Sequence, residues 1–201
     1  MRLGVLGGTF NPVHLGHLLV ADDARRALGL DRVGLIPAFN PPLRRGRVAP
    51  YRHRLAMLRL ALRGWDGLEL LPLEESRPGP SYTVATLRDL RDRFPGARRW
   101  LLVGADQYRQ MAGWHEPGRL TDHARIAVLT RPGIPLPPVF PGHDPRRVRF
   151  VEIIPVGLSG SLVRCRLARG RSVRYMLPGA VDRYVRRHGL FAKPTRSRQE
   201  V

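Results

Sequence analysis

Short apolar runs alternate with amphipathic segments along this chain, and that alternation restricts the fold more than any other feature. Residues 2–6 read as a first strand ending in Gly7-Gly8, and residues 15–28 as a helix stopped by Gly29. Residues 32–37 form a second strand, and residues 51–63 carry Leu55, Leu58 and Leu62 at helical spacing. A third strand is expected at 68–71. Ser81 can cap a helix whose apolar stripe is Val84, Leu87, Leu90 and Phe94. Strands follow at 99–103, 126–129 and 148–154, with a Pro- and Gly-rich loop at 130–145. Helices at 161–169 and after Pro178 complete the pattern. Strand–helix alternation predicts a mostly parallel sheet with helices on both faces, and in such sheets ligands sit beyond the carboxyl ends of the strands.

The 201 residues suffice for one well-buried domain, expected over 1–192, with 193–201 a disordered tail lacking apolar pattern. Hydrophobic content of 43% against 25% charged is the balance of a globular chain. No apolar run approaches the roughly 18 residues of a membrane span, and MRLGVLGGTF enters a strand without a signal core. Cys165 is the only cysteine, which points to a reducing cytoplasm and to an inert, partly buried thiol. The formal charge is +19 and Lys193 is the only lysine. Arginines spread over most of the chain favour a compositional bias over a nucleic-acid partner. A positive field would still speed encounter with polyanionic nucleotides. A homo-oligomer is left open.

Residues 7–18, GGTFNPVHLGHL, carry the chemistry. Gly7 and Gly8 allow a tight turn and a close approach by a ligand. His14 and His17 stand three apart at a helix start and share a face, with Gly16 leaving room between them. The helix start adds unpaired N–H groups, so the segment suits a phosphate chain with two imidazole donors beside it. Metal binding by the histidines would need further ligands, and no HExxH or paired-cysteine motif supplies them.

Other segments fit the same picture. Ile36-Pro37 precedes Asn40-Pro41-Pro42, and Arg77, Gly79 and Ser81-Tyr82-Thr83 form R-x-G-x-S-Y-T. Gly104-Ala105-Asp106 follows the WLLV run, with Trp114 beyond and Arg131-Pro132-Gly133 after the next strand. Residues 158–164 read LSGSLVR. Together with the histidine motif these resemble the nucleotidyltransferase superfamily, and nearly end to end the bacterial nicotinate-mononucleotide adenylyltransferases. The chain departs from that pattern in three places: Leu43-Arg44 stands for His-Lys, Gly160-Ser161 for Ser-Thr, and Asn11 for aspartate.

The resemblance implies a three-layer Rossmann-like nucleotidyltransferase fold and adenylyl transfer from ATP to nicotinate mononucleotide. It implies catalytic roles for His14, His17 and Arg164, with Gly8, Thr9, Phe10 and Gly104 also on ATP. Asp106 would accept from ribose hydroxyls; its alternative is a helix cap. Ser159 and Ser161 would join Arg164 on the phosphates, against a capping role for the serines and a solvated face for the arginine. The acceptor would meet Asn40, Arg44, Ser81, Tyr82, Thr83, His115 and Arg131, with Trp114 stacked on its pyridine ring rather than packed in the core. Magnesium would travel on the ATP phosphates with no dedicated protein site.

Overall fold

The computed structural model describes residues 1–42, 48–75 and 77–192. Among these, six strands form one sheet: β1 (Arg2–Gly8), β2 (Arg32–Pro37), β3 (Leu68–Leu70), β4 (Arg98–Gly104), β5 (Arg125–Thr130) and β6 (Val148–Glu152). Their spatial order is β3-β2-β1-β4-β5-β6, and every pairing is parallel. The chain runs outward from β1 to one edge, then returns to β4 on the other side of β1. The carboxyl ends of β1 and β4 therefore flank a topological switch point, where a crevice opens.

The helices are α1 (Leu15–Ala27), α2 (Tyr51–Ala61), α3 (Thr83–Arg93), α4 (Ala105–Arg109), α5 (Leu120–His123), α6 (Gly160–Ala168) and α7 (Gly179–Arg187). The pleat sends alternate side chains to opposite faces and so feeds two apolar layers. Leu35, Leu102 and Leu129 pack with Leu18 of α1, Leu58 of α2, Val163 of α6 and Val181 of α7. Leu3, Val5, Leu101 and Val128 pack with Leu87 of α3, Tyr108 of α4 and Leu120 of α5. This is the three-layer arrangement expected from the alternation. Trp65 and Trp100 pack at the edge of the first layer.

Several local expectations are corrected. Gly7 and Gly8 make no turn; they continue β1 and pair with Ile36 and Pro37. Gly8 is needed for close approach, because a Cβ there would lie 3.2 Å from the Phe10 ring. The turn falls one step later, at Phe10 with φ +46° and the cis Asn11–Pro12 bond. Ser81 does not cap α3. Tyr82 is the capping residue, and the Ser81 hydroxyl instead accepts the Asn40 N–H at 2.9 Å. Cys165 is exposed, because α6 turns Val163, and in part Leu167, toward the core. Leu43, Arg44 and the tail 193–201 lie outside the described residues.

Leu58 is fully buried between α2 and the sheet. Leu58→Ala should cost about 2–5 kcal/mol. In a chain of this size that lowers the melting temperature by roughly 2–4 °C per kcal/mol. An unchanged thermal melt would contradict the packing described.

Candidate active site

The turn between β1 and α1 aims two imidazoles into the crevice. His14 is the N-cap of α1, with extended backbone at φ −140°, and His17 sits one turn inside. His17 Nδ1 accepts the backbone N–H of His14 at 3.2 Å, the reach-back of a capping box. An accepting Nδ1 places the proton of a neutral ring on Nε2, so His17 donates from that nitrogen. The two rings stack at 3.7 Å between centroids and 25° between planes, and Phe10 meets His17 edge-on at 4.9 Å. Phe10 is buried beneath His17 and orients it; it lines neither cavity described below. Burial pushes the His14 pKa down to about 4. Burial, then the neighbouring His14, pushes His17 down to about 3. Both rings are therefore neutral donors at pH 7.

Two cavities meet at the switch point. The first, about 400 Å³, is lined by His14, Gly16, His17, Asp106, Arg131 and Ser159, among others. Val20, Leu129, Ile134 and Val156 add apolar wall suited to a flat ring. The second, about 1280 Å³, is lined by Gly8, Thr9, Ser81, Tyr82, Trp114 and His115, among others. Of the described lining residues, Gln107 alone borders both. A molecule in the first cavity can thus reach one in the second across the ends of β1 and β4.

The structure gathers most of the residues expected from the sequence. Gly104 and Asp106 line the first cavity. Asp106 is not the α4 cap, which is Gly104; its carboxylate is exposed and pairs with Arg109 at 3.1 Å. Ser159 does cap α6, accepting the Leu162 N–H at 3.1 Å. Arg164 and Ser161 stand outside both linings: Arg164 donates to the Asn11 carbonyl at 2.8 Å and to the Ser161 hydroxyl at 3.1 Å. Gly8 and Thr9, expected on ATP, border the second cavity, and Arg131, expected on the acceptor, borders the first. Thr83 joins Tyr82 and His115 in the second cavity, where the latter two rings stack at 4.1 Å. Half-buried Trp114 packs on the second apolar layer while bordering that cavity. Asn40 is spent on the loop itself, donating to Ser81 Oγ and accepting the Ser81 N–H.

Sequence reasoning missed Arg54 and Glu74. Arg54 is 2% exposed and donates to the carbonyls of Thr9, Ala38, Phe39 and Ala49. Glu74, also buried, accepts the Phe39 N–H at 3.2 Å and the Thr86 hydroxyl at 2.5 Å. The one available signal was position: Arg54 adjoins Leu55 and shares a face with Leu58, where a solvated charge does not belong.

A model of the Cytidylyltransferase-like family matches residues 5–166. A Thermus thermophilus relative named "Probable nicotinate-nucleotide adenylyltransferase" is 43% identical over 191 residues, covering 95% of this chain and all of its own length. A Roseiflexus relative of the same name is 44% identical, over 94% of this chain and 97% of its own. The chain belongs to the nicotinate-nucleotide adenylyltransferase family.

The fold agrees with that membership. It is similar to the Plasmodium falciparum nicotinic acid mononucleotide adenylyltransferase complexed with NaAD, with a TM-score of 0.76 and 15% identity. That likeness covers 94% of this chain and 97% of the other. The family departure at Gly160 has a local consequence. A Cβ there would lie 3.2 Å from both the Arg164 guanidinium and the Asn11 carbonyl. Glycine thus lets Arg164 lie close against the turn that carries the histidines.

The depressed histidine values set the acid behaviour of the unliganded protein. Both folded values lie below the unfolded 6.5, so the folded state resists protonation. Stability should be complete above pH 6.5 and fall as pH drops from 6.5 toward 4, by about 1.4 kcal/mol per unit for each ring at most. Melting temperature from pH 7.5 to 4.5 checks this against a His14→Asn/His17→Asn variant. A wild-type curve as flat as the variant's would rule it out.

Proposed function

We propose that the chain transfers the adenylyl group of ATP to nicotinate mononucleotide, giving nicotinate adenine dinucleotide and pyrophosphate. The observation that carries this reading is the stacked, neutral His14–His17 pair facing a nucleotide-sized cavity that adjoins a second one. In the reaction a phosphate oxygen of the acceptor attacks the α-phosphorus. The bond to the bridging oxygen breaks, and pyrophosphate leaves with the electron pair. The acceptor phosphate is already ionised at neutral pH, so no general base is required. Charge grows on the departing pyrophosphate, and donors fixed beforehand at that point lower the barrier. His17 Nε2–H, His14 and the start of α6 behind Ser159 are such donors in this reading, with Arg164 held in reserve beside Asn11.

Magnesium belongs to the same proposal as part of the ATP complex. Among the described residues the first cavity has one lining carboxylate, Asp106, so ATP oxygens and water would supply most of the ion's ligands. Its chemistry would be to neutralise charge on the phosphates. The acceptor's pyridine ring would lie in the second cavity against Trp114, near Tyr82, Thr83 and His115. A single nucleotidyltransferase domain over 1–192 and a cytoplasmic location complete the reading. The lone cysteine supports the location, as does the absence among described residues of a helix long and apolar enough to cross a membrane.

His17→Ala should lower kcat by roughly 10²–10³ with much smaller effects on either KM, as for loss of one transition-state donor. Pyrophosphate release under saturating substrates measures it; an unchanged kcat in the folded variant defeats the proposal. The acid form of the acceptor should also be preferred over the amide. A carboxylate accepts at both oxygens, whereas a carboxamide turns an NH₂ toward the donors of the pocket. One charge-assisted contact of about 1.5–3 kcal/mol corresponds to roughly a ten- to hundredfold preference. The check is kcat/KM for nicotinate mononucleotide against nicotinamide mononucleotide, and equal values would remove the substrate assignment.

A further inference from the structure

Residues 131–147, between β5 and β6, form the outer wall of the first cavity through Arg131 and Ile134. The facing wall is α4, with Asp106 and Gln107. Two buried side chains join these walls away from the cavity. Tyr108, on the opposite side of α4, is 2% exposed, and His143, in the loop, is 6% exposed. His143 Nε2 lies 2.8 Å from the Pro117 carbonyl, and His143 Nδ1 lies 3.0 Å from the Tyr108 hydroxyl.

The partners dictate the direction of every bond. A carbonyl only accepts, so Nε2 carries the proton. In a neutral ring Nδ1 then accepts, and the Tyr108 hydroxyl donates to it. The same hydroxyl oxygen accepts the Phe140 N–H at 3.0 Å. One chain of bonds thus runs from Phe140 through Tyr108 and His143 to Pro117, with no donor or acceptor of these side chains left over. Burial lowers the His143 pKa, which keeps the ring in the neutral form the chain needs. Arg109, next along α4, adds a bond to the Pro135 carbonyl while holding Asp106.

We propose that Tyr108 and His143 are positioning residues for the nucleotide, clamping residues 131–147 onto α4 so that Arg131 and Ile134 face Asp106 at a fixed distance. The proposal rests on the adenylyl-transfer reading above. A buried tyrosine needs a hydrogen-bond partner for stability alone. What distinguishes this one is that both partners lie in the long loop that walls the cavity rather than in the sheet. Such a loop, 17 residues long with no strand of its own, needs ties if it is to hold a shape.

The test uses Tyr108→Phe, which removes one oxygen, His143→Ala, the double variant, and His143→Gln, whose amide can both accept and donate. Calorimetry gives the Kd of a non-hydrolysable ATP analogue, and pyrophosphate release gives both KM values. Each single variant should weaken analogue binding and raise the ATP KM by roughly three- to tenfold, the worth of one net hydrogen bond, with the acceptor KM changed less than about twofold. The double variant should be no worse than the weaker single, because both act through one chain of bonds. His143→Gln should recover most of the loss. Unchanged analogue Kd with a lowered melting temperature, an equal rise in both KM values, or additive losses would each overturn the clamp. Absence of pyrophosphate release by the wild type would overturn the functional reading alone, while the analogue Kd ratios still decide the clamp.

Discussion

The guanidinium of Arg54 holds together the parts on which both cavities depend. It lies under the switch point and donates to Thr9, from the turn that carries the histidines, and to Ala38 and Phe39, from the loop beside the second cavity. It also donates to Ala49, just ahead of its own helix. A cation taken out of water costs several kcal/mol unless its donors are satisfied, and four carbonyls take four of the five N–H donors here. Glu74 grips the other end of the same peptide unit by accepting the Phe39 N–H, and reaches α3 through Thr86. Loop backbone that would otherwise cost desolvation is thereby paired, and three separate turns acquire one geometry. Thr9 and Phe39 keep their spacing because the fork of an arginine is planar and rigid.

On that base the histidine motif, in the proposed reaction, would work by polarity rather than charge. Two rings stacked at 3.7 Å cannot both be cations in a desolvated wall, and both are held neutral. A neutral imidazole offers one N–H, so its direction matters more than its presence. The α1 N-terminus fixes that direction by occupying His17 Nδ1 with a backbone N–H. The same bond that begins the helix therefore aims the donor. Positive charge at the site comes from Arg131 in the first cavity's lining, and the arginines that give the chain its net +19 would act from further off on the approach of a polyanion.

Layer architecture was legible because periodicity is a property of many residues at once. Val84, Leu87 and Leu90 form one stripe, and the strand at 32–37 buries its apolar run from Val33 onward. The histidine pair was legible because three residues in a helix make one face. Ser81 was misread for the same local reason: serine before an apolar stripe is a common cap, but Asn40, 41 residues away, claims its hydroxyl. Cys165 was misread because α6 anchors through Val163 and in part Leu167, on the side away from the cysteine, so composition there says little about burial. Arg54 escaped notice because its partners are backbone carbonyls of loops, and Glu74 because it joins the Phe39 N–H to the Thr86 hydroxyl across the fold, which no local side-chain pattern records.

The engagement of Ser81 also changes how the proposed acceptor pocket would favour an anion. With Ser81 tied to Asn40 through its hydroxyl oxygen and its backbone N–H, only the hydroxyl proton is left for a ligand. Tyr82 donates its N–H to Pro80, so the first free amides belong to Thr83 and the residues after it, which have no acceptor in the first turn of α3. Thr83 borders the second cavity, as does the Tyr82–His115 stack. Selection of a carboxylate would then rest on the α3 N-terminus, with its partial positive charge, rather than on a serine hydroxyl that could serve acid and amide equally. Ser81 contributes by fixing the 38–42 loop against α3. Discrimination in the proposed pocket would thus follow from backbone direction, as the direction of the His17 donor does.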